Sequence, residues 1–378
     1  IAVGASVKMG IKLGEKDKKE ASNIFSVALL LTTIINIIFM ILSLFFAKDI
    51  IYILIKDSEL AYLSYKFAYP FILGLPIIAP FFALDNYLRI CGKANMSMWV
   101  NIAVSVLNII LDAILMGYFK LGIEYAAIAS ALSMAFGAMI FLYPFIMKKV
   151  VLRFTKPKIN MKEITQILYN GSSDFLGNIS GSIISIITNA VLLHYGGSVA
   201  VAVYSIIMYI DSLLSPLLFG IIGSIEPVIS YNYGAKNYER ITEFFKITCV
   251  VSLAISAITT IIMFVFPDFL VGLFSSKSDI EIIQMSKIAL LLSAPSYLFS
   301  WFSMTVGCFL TGFEKATESM IIMLAESVVL PLVLIVVLTK LMGVYGIFLI
   351  PTIGGIVSTI IGLVLWKKCV KEELQIAD

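Results

Sequence analysis

The chain has 378 residues, 60% of them hydrophobic and 13% charged, with mean hydropathy +1.01 and formal net charge +3. That balance excludes an ordinary soluble domain; the net charge says little by itself, and no nucleic-acid partner is expected. Apolar runs of about 20 residues or more recur with few charges inside them, the mark of membrane-spanning helices. The chain therefore reads as an all-α integral membrane protein, since barrel strands would alternate in segments of roughly 10 residues.

Taken in order, a short helical fragment precedes ten complete spans. They lie at 22–46, 60–88, 97–118, 123–147, 163–194, 199–231, 241–266, 281–311, 317–340 and 344–366, each long enough for ~30 Å of hydrocarbon. The basic stretch KKVVLRFTKPKINMK, residues 148–162, separates a first lobe (1–147) from a second (163–378). Charge placement sets orientation. One side holds 20 of the 27 Lys and Arg, counting Lys8–Lys19, Arg89–Lys93, Lys148–Lys162, Lys236–Lys246, Lys315 and Lys367–Lys371. The other side keeps Lys48, Lys56, Lys66, Lys120, Lys277, Lys287 and Lys340. The positive-inside rule then puts the linker and the C-terminus in the cytoplasm of a cell with this protein in its plasma or inner membrane.

An internal repeat organises the lobes. GIIGSIEPVISYNYGAKNYERITEFF (220–245) matches the opening VGASVKMGIKLGEKDKKEASNIF (3–25) at an offset of 220, so that Gly14 falls on Gly234, Lys16 on Lys236 and Phe25 on Phe245. The register continues through Phe46 and Phe266, Ser58 and Ser278, and Glu59 and Asp279. LGIEYAAIASAL (121–132) later resembles MGVYGIFLIPTI (342–353). Such duplication predicts two six-helix lobes, related as parallel repeats around a central cleft. With Ile1 on Ile221 and the second lobe starting near Lys162, the first lobe is shorter by about 59 residues, or two helices. A truncated start is the expectation.

Polar residues inside the spans are the candidate site, because an ionised carboxyl in hydrocarbon must be paired, protonated or ion-bound. Asp174, Asn178, Ser182, Ser185 and Asn189 step by four, four, three and four along one helix, which keeps them within roughly 80° of arc. They face either a cavity or another helix. Asp211 and Glu226 share the next span, with Glu226 directly before Pro227 in a glycine-rich segment. Tyr204, Tyr209, Tyr231 and Tyr233 offer aromatic faces to a cation or serve as packing. In the first lobe Asp85 and Arg89 read as an internal ion pair at i, i+4, and Asp112, four after Asn108, as a structural hub or an ion ligand. Kinks are expected where Pro70, Pro76, Pro80, Pro216, Pro295, Pro331 and Pro351 remove backbone donors. Four scattered cysteines (Cys91, Cys249, Cys308, Cys369) and the single His194 make neither a disulfide framework nor a zinc site. No cofactor and no resident metal are expected, transient Na⁺ excepted.

SYNYGAKN (230–237), NIILDAIL (108–115) with Leu121, Gly122 and AAIAS (126–130), and NGSSDFLGNIS (170–180) with Asn189 together resemble the multidrug and toxic compound extrusion (MATE) transporters. The resemblance runs from the family's second helix onward, lacking the first helix and most of the second. It implies twelve helices in two bundles, and a monomeric antiporter that exports organic, usually cationic compounds against inward Na⁺ or H⁺. The ion-coupling candidates are then Asp174, Glu226, Glu326 and Asp211. The cavity candidates are Asn178, Ser182, Ser185, Asn189, Tyr204 and Tyr209, with Gly14, Gly234, Asn108 and Asp112 structural. One departure stands out. Where many members carry an arginine in the eleventh helix and an acid early in the twelfth, this sequence places Glu326 and Gly355. The acid has moved to the neighbouring helix, and the family's first-helix acid has no counterpart here. Two other classes fit less well: a lipid-linked-precursor flippase would need a basic cavity, and an intramembrane enzyme would need a paired aspartate or a histidine in context.

Overall fold

The apolar runs fold into helices, which satisfy every backbone N–H and C=O internally, as hydrocarbon requires. The computed structural model describes residues 1–55, 57–275 and 279–370. Lys56, Lys277, Ser278 and Lys371, used above in the charge asymmetry and the repeat, lie outside the described residues. The chain divides into two units, Ile1–Leu168 and Tyr169–Asp378. The first contains α1 (Ala2–Gly14), α2 (Lys18–Leu54), α3 (Ser58–Ile90), α4 (Ala94–Asp112) and α5 (Glu124–Ile146). A short amphipathic helix, α6 (Met161–Asn170), crosses the division. The second unit contains α7 (Ser172–Gly234), α8 (Tyr238–Val265), α9 (Pro267–Gly272), α10 (Ile280–Ser293), α11 (Ser296–Gly312), α12 (Ala316–Leu324), α13 (Leu330–Met342) and α14 (Val344–Cys369).

Among the described residues, eight helices are long and apolar enough to cross a membrane, with Ala94–Tyr118 and Ala316–Met342 each counted as one, or up to nine with the bent pair α10–α11 taken as one span. The 63 residues of α7 would reach about 95 Å as one rod, far more than a bilayer. They form two arms instead, broken at Gly197, whose φ of 63° and ψ of −161° suit glycine alone. With α7 counted as two arms, the spans are those read from the sequence. Two boundaries differ. The stretch 163–194 is interrupted at Gly171, so α6 stands apart from the span that begins at Ser172. The stretch 281–311 bends by 45° between Ser293 and Ser296, where Pro295 cannot donate its backbone bond.

The repeat returns as matching hydrogen bonds. After α1, the N–H groups of Glu15, Lys16 and Asp17 donate to the carbonyls of Ile11, Leu13 and Lys12; after α7, those of Ala235, Lys236 and Asn237 donate to Tyr231, Tyr233 and Asn232. Both are Schellman turns with a lysine in the left-handed region, at φ 66° for Lys16 and 56° for Lys236. Asp17 then caps α2 by accepting from Glu20 N, and Asn237 caps α8 by accepting from Arg240 N. The same turn joins α3 to α4 through Cys91, Gly92 and Lys93, and α11 to α12 through Phe313, Glu314 and Lys315.

The cores repeat too. Phe25 stacks on Phe145 at 4.8 Å and meets Tyr87 edge-on at 5.7 Å; Phe245 stacks on Trp366 at 3.8 Å and meets Phe309 edge-on at 4.8 Å. Such aromatic clusters lock three helices together in each unit. The basic connection after α5 is not a loose tether. Its Val150 and Leu152 are buried, and its Arg153, Thr155 and Lys158 N–H groups donate to Ser22, Ser26 and Asn23 on α2.

The left-handed lysines give a direct test. An L residue there costs roughly 1–2 kcal/mol that glycine avoids. Lys236→Gly is expected to leave melting unchanged or raise it, by up to about 1 kcal/mol after the entropy glycine adds to the unfolded chain. Lys236→Pro, with a forbidden φ and a lost bond to Tyr233, should lower it sharply. Thermal melts of the purified variants in detergent decide it, and equal melting of the two would refute the assignment.

Candidate functional site

The second unit gathers most of the polar residues of interest, and α7 positions them. Its first arm carries Asp174, Asn178, Ser182, Ser185 and Asn189 on one side. Asn178 donates to the Asp174 carbonyl (2.8 Å), Ser182 to that of Asn178 (3.2 Å) and Asn189 to that of Ser185 (2.9 Å). These amides and the hydroxyl thus satisfy themselves on their own helix, with Asn178 and Ser182 exposed. Tyr204 on the second arm lies close to Ser185 and Thr188 on the first.

Three carboxyl environments follow. The first is Glu326. Pro331 cannot donate to the carbonyl of Ser327 and would clash with it, so the helix widens into a π-helical turn over Ala325–Val329 before α13 resumes. That turn carries Glu326, which accepts from Ser303 Oγ of α11 at 3.0 Å, with the Ser300 and Ser358 hydroxyls close by. Ser358 donates in turn to Ser303 at 3.2 Å. A cavity of about 260 Å³ opens beside the acid, lined among others by Tyr204, Met208, Ser300, Pro331, Pro351 and Gly355. Gly355 matters for its missing side chain, since a Cβ there would lie 2.7 Å from Ser300 Oγ. Glu326 and Gly355, the two positions of the displaced acid, therefore line one cavity.

In the second environment, Asp211 on the other arm of α7 accepts from Ser215 Oγ at 2.8 Å and from Tyr297 Oη at 2.6 Å, while those two hydroxyls lie 2.9 Å apart. The third holds Glu226, buried on α7, and half-buried Asp174, both near enough to the Cys308 thiol of α11 to act on it electrostatically. Tyr209 stays out of the cavity: it is exposed and stacks on Phe274 at 5.6 Å. Tyr231 is exposed, and Tyr233 packs on Phe313.

In the first unit, Asp85 is buried and pairs with Arg89, as its spacing predicts. It also accepts from Ser97 and, at 2.9 Å, from Asn101 Nδ2, which fixes α3 against α4. Asn108 donates to Ser130 at 3.2 Å, joining α4 to α5. Asp112 precedes a π-helical turn, Ala113–Tyr118, and its Oδ1 is buried without a hydrogen-bond partner. Gly14 and Gly234 end α1 and α7 at the paired turns. Among the described residues, no group of three or more His, Cys, Asp or Glu is placed to hold a metal ion.

Sequence reasoning missed Ser300, Ser303, Ser358 and Tyr297, the hydroxyls that hold the acids. Ser300 and Ser303 are one helical turn apart and could have been read as a polar face. Tyr297 had no such signal, because its partner Asp211 is 86 residues away.

The model of the MatE family matches residues 1–114 and 175–337, most of the chain. The chain belongs to this family. Among its relatives, the multidrug export protein MepA of Staphylococcus aureus (strain MSSA476) is 27% identical over 354 residues, 91% of this chain and 76% of that protein. MepA of Staphylococcus saprophyticus is 26% identical over 317 residues, 83% and 68%. Of solved structures, a multidrug resistance MATE family transporter in an outward-facing conformation matches with TM-score 0.93 and 24% identity, covering 100% of this chain and 84% of that one. A MOP superfamily transporter from Pyrococcus furiosus, for which reversed polarity of the binding pocket suggests a different function, matches with TM-score 0.92, 24% identity and the same coverage. The fold of this MATE protein is thus the all-α, two-lobed transporter fold. The protein is a multi-pass membrane transporter rather than an enzyme.

Proposed function

We propose that this MATE protein is a secondary antiporter that exports organic cations, multidrug substrates among them, in exchange for Na⁺ or H⁺ across the plasma or inner membrane. The observation that carries the reading is the Glu326 cavity: about 260 Å³, apolar walls, one carboxyl held by Ser303, and no lysine or arginine in its lining. A flat, lipophilic cation is recognised by that combination, its body on aliphatic and aromatic side chains and its charge on the acid. A flippase for anionic lipid-linked precursors would instead need basic groups there. Multidrug export by MepA agrees in kind.

Antiport follows if the coupling ion and the substrate compete for the same carboxyls and each binds the two facing states with different affinity. Glu326, Asp174 and Glu226 are the candidate coupling groups, with Asp211 a fourth. Pro331, Pro351 and the π-helical turn supply backbone already freed of some helical hydrogen bonds, which lets these helices bend. The linker and C-terminus are assigned to the cytoplasm on the charge asymmetry, and the transporter is taken to work as a monomer.

The test is efflux of a cationic dye from vesicles carrying the protein, with Na⁺ and pH gradients imposed separately. One of the two gradients is expected to drive efflux and to be dissipated by it. Dye movement indifferent to both gradients would remove the antiport reading.

A further inference from the structure

A second cavity, of about 670 Å³, lies in the first unit and has the opposite character. Six cations line it: Lys18, Lys19, Lys93, Lys148, Lys149 and Arg153. No aspartate or glutamate does. Among the described residues none of the six forms an ion pair; Lys149 donates only to Tyr143 Oη at 3.0 Å and sits over that ring. Asp17, which caps α2, and Glu20, which accepts from Asn23, neither line the cavity nor pair with any of the six. The Cys91 thiol on the cavity wall is held by the backbone at Leu152 and Val151, and burial pushes its pKa up to about 11, so it adds no negative charge near pH 7.

Charge asymmetry alone would explain lysines on this side of the membrane. It does not explain six of them lining one concavity whose walls carry no acidic side chain. The cations come from four separate places: the first turn of α2, the turn after α3, the turn after α5, and the connection pinned to α2. Lys148 is held in the left-handed region at φ 55°, within the Schellman turn that ends α5. All four lie where spans leave hydrocarbon on one face of the unit. Exposed Ile146, Met147 and Val151 flank the basic groups, offering apolar surface directly beside them.

We infer that this cavity is a binding site for the phosphate headgroup of an anionic membrane lipid. Arg153 presents a planar fork to two phosphate oxygens, the lysines supply point charges, and the apolar side chains receive the start of an acyl chain. A soluble phosphate shares the first two requirements and has no use for the third. Occupancy would tie α2, the α3–α4 turn and the connection to one ligand.

The experiment titrates the detergent-purified protein with short-chain phosphatidylglycerol, short-chain phosphatidylcholine and inorganic phosphate at low salt. Phosphatidylglycerol should bind, phosphatidylcholine should not, and inorganic phosphate should be a poor competitor. The triple variant Lys93→Gln, Lys148→Gln, Arg153→Gln should weaken phosphatidylglycerol by about 100-fold, at roughly 5-fold per charge. Neutralising Lys156, Lys158 and Lys162, on the same connection but outside the cavity, should cost less than about 3-fold. If the triple variant does not fold, single Lys93→Gln and Arg153→Gln changes, each expected to cost about 5-fold, carry the test. Equal losses in the two triple variants, or equal binding of phosphatidylcholine, would overturn the site. Displacement of the lipid by equimolar inorganic phosphate would overturn the lipid assignment.

Discussion

Glu326→Gln should reduce cation efflux by about 100-fold while leaving the protein folded. Glutamine keeps the size of the side chain and an oxygen to accept from Ser303, so the serine cluster of Ser300, Ser303 and Ser358 loses little. What disappears is the charge. Removing one member of a desolvated charge pair typically costs 2–5 kcal/mol, and about 2.7 kcal/mol corresponds to the stated factor. An amide also cannot take up and release a proton, so exchange fails even for a substrate that still enters the cavity. Ser303→Ala is the graded companion, expected to cost about 10-fold, at the lower end of the roughly 1.5–3 kcal/mol for one hydrogen bond to a charged group. Efflux from proteoliposomes, read beside a thermal melt, separates loss of function from loss of fold. Wild-type efflux by a folded Glu326→Gln protein would remove the acid from the transport site.

How much of this was legible beforehand depended on distance along the chain. Helix positions follow from local hydropathy, and the repeat from Gly14 with Gly234 and Phe25 with Phe245, because identical local turns need similar residues. The Asp85–Arg89 pair was legible for the same reason, being one turn apart. Breaks were harder. Gly171 and Pro295 interrupt runs that stay apolar throughout, so hydropathy passes over them. The acids' partners were invisible, since Ser303 reaches Glu326 and Tyr297 reaches Asp211 only through packing of α11 against its neighbours. The polar stripe on α7 shows a different limit. Its 3.6-residue spacing is real, but Asn178, Ser182 and Asn189 bond to their own helix, so the spacing alone did not identify their partners. Likewise the basic segments read only as topology signals, because nothing in the linear order says that Lys18, Lys93 and Arg153 share one cavity.

Asp174→Asn is expected to cut transport by about 10- to 100-fold, and Asp211→Asn to cost stability instead. The difference lies in what each carboxyl touches. Asp211 Oδ1 already accepts from two hydroxyls, Ser215 and Tyr297, which fixes the second arm of α7 to the start of α11. Asparagine keeps one acceptor oxygen but turns these two bonds to a charge into bonds to a neutral amide, a loss of about 1 kcal/mol that a melt would register. The Asp174 carboxyl, by contrast, accepts no hydrogen bond among the described residues and lies near enough to the Cys308 thiol to act on it electrostatically. A carboxyl inside a membrane span with no protein hydrogen bond calls for a proton or a cation beside it, and that is what a coupling site requires. The Asn178 amide bonds the backbone carbonyl of residue 174, not its carboxyl, so the asparagine variant keeps the local helix intact. Dye efflux under a single imposed gradient, measured for both variants together with their melting temperatures, distinguishes the two roles. If Asp174→Asn exports at the wild-type rate while Asp211→Asn loses transport without loss of stability, the two assignments must be exchanged.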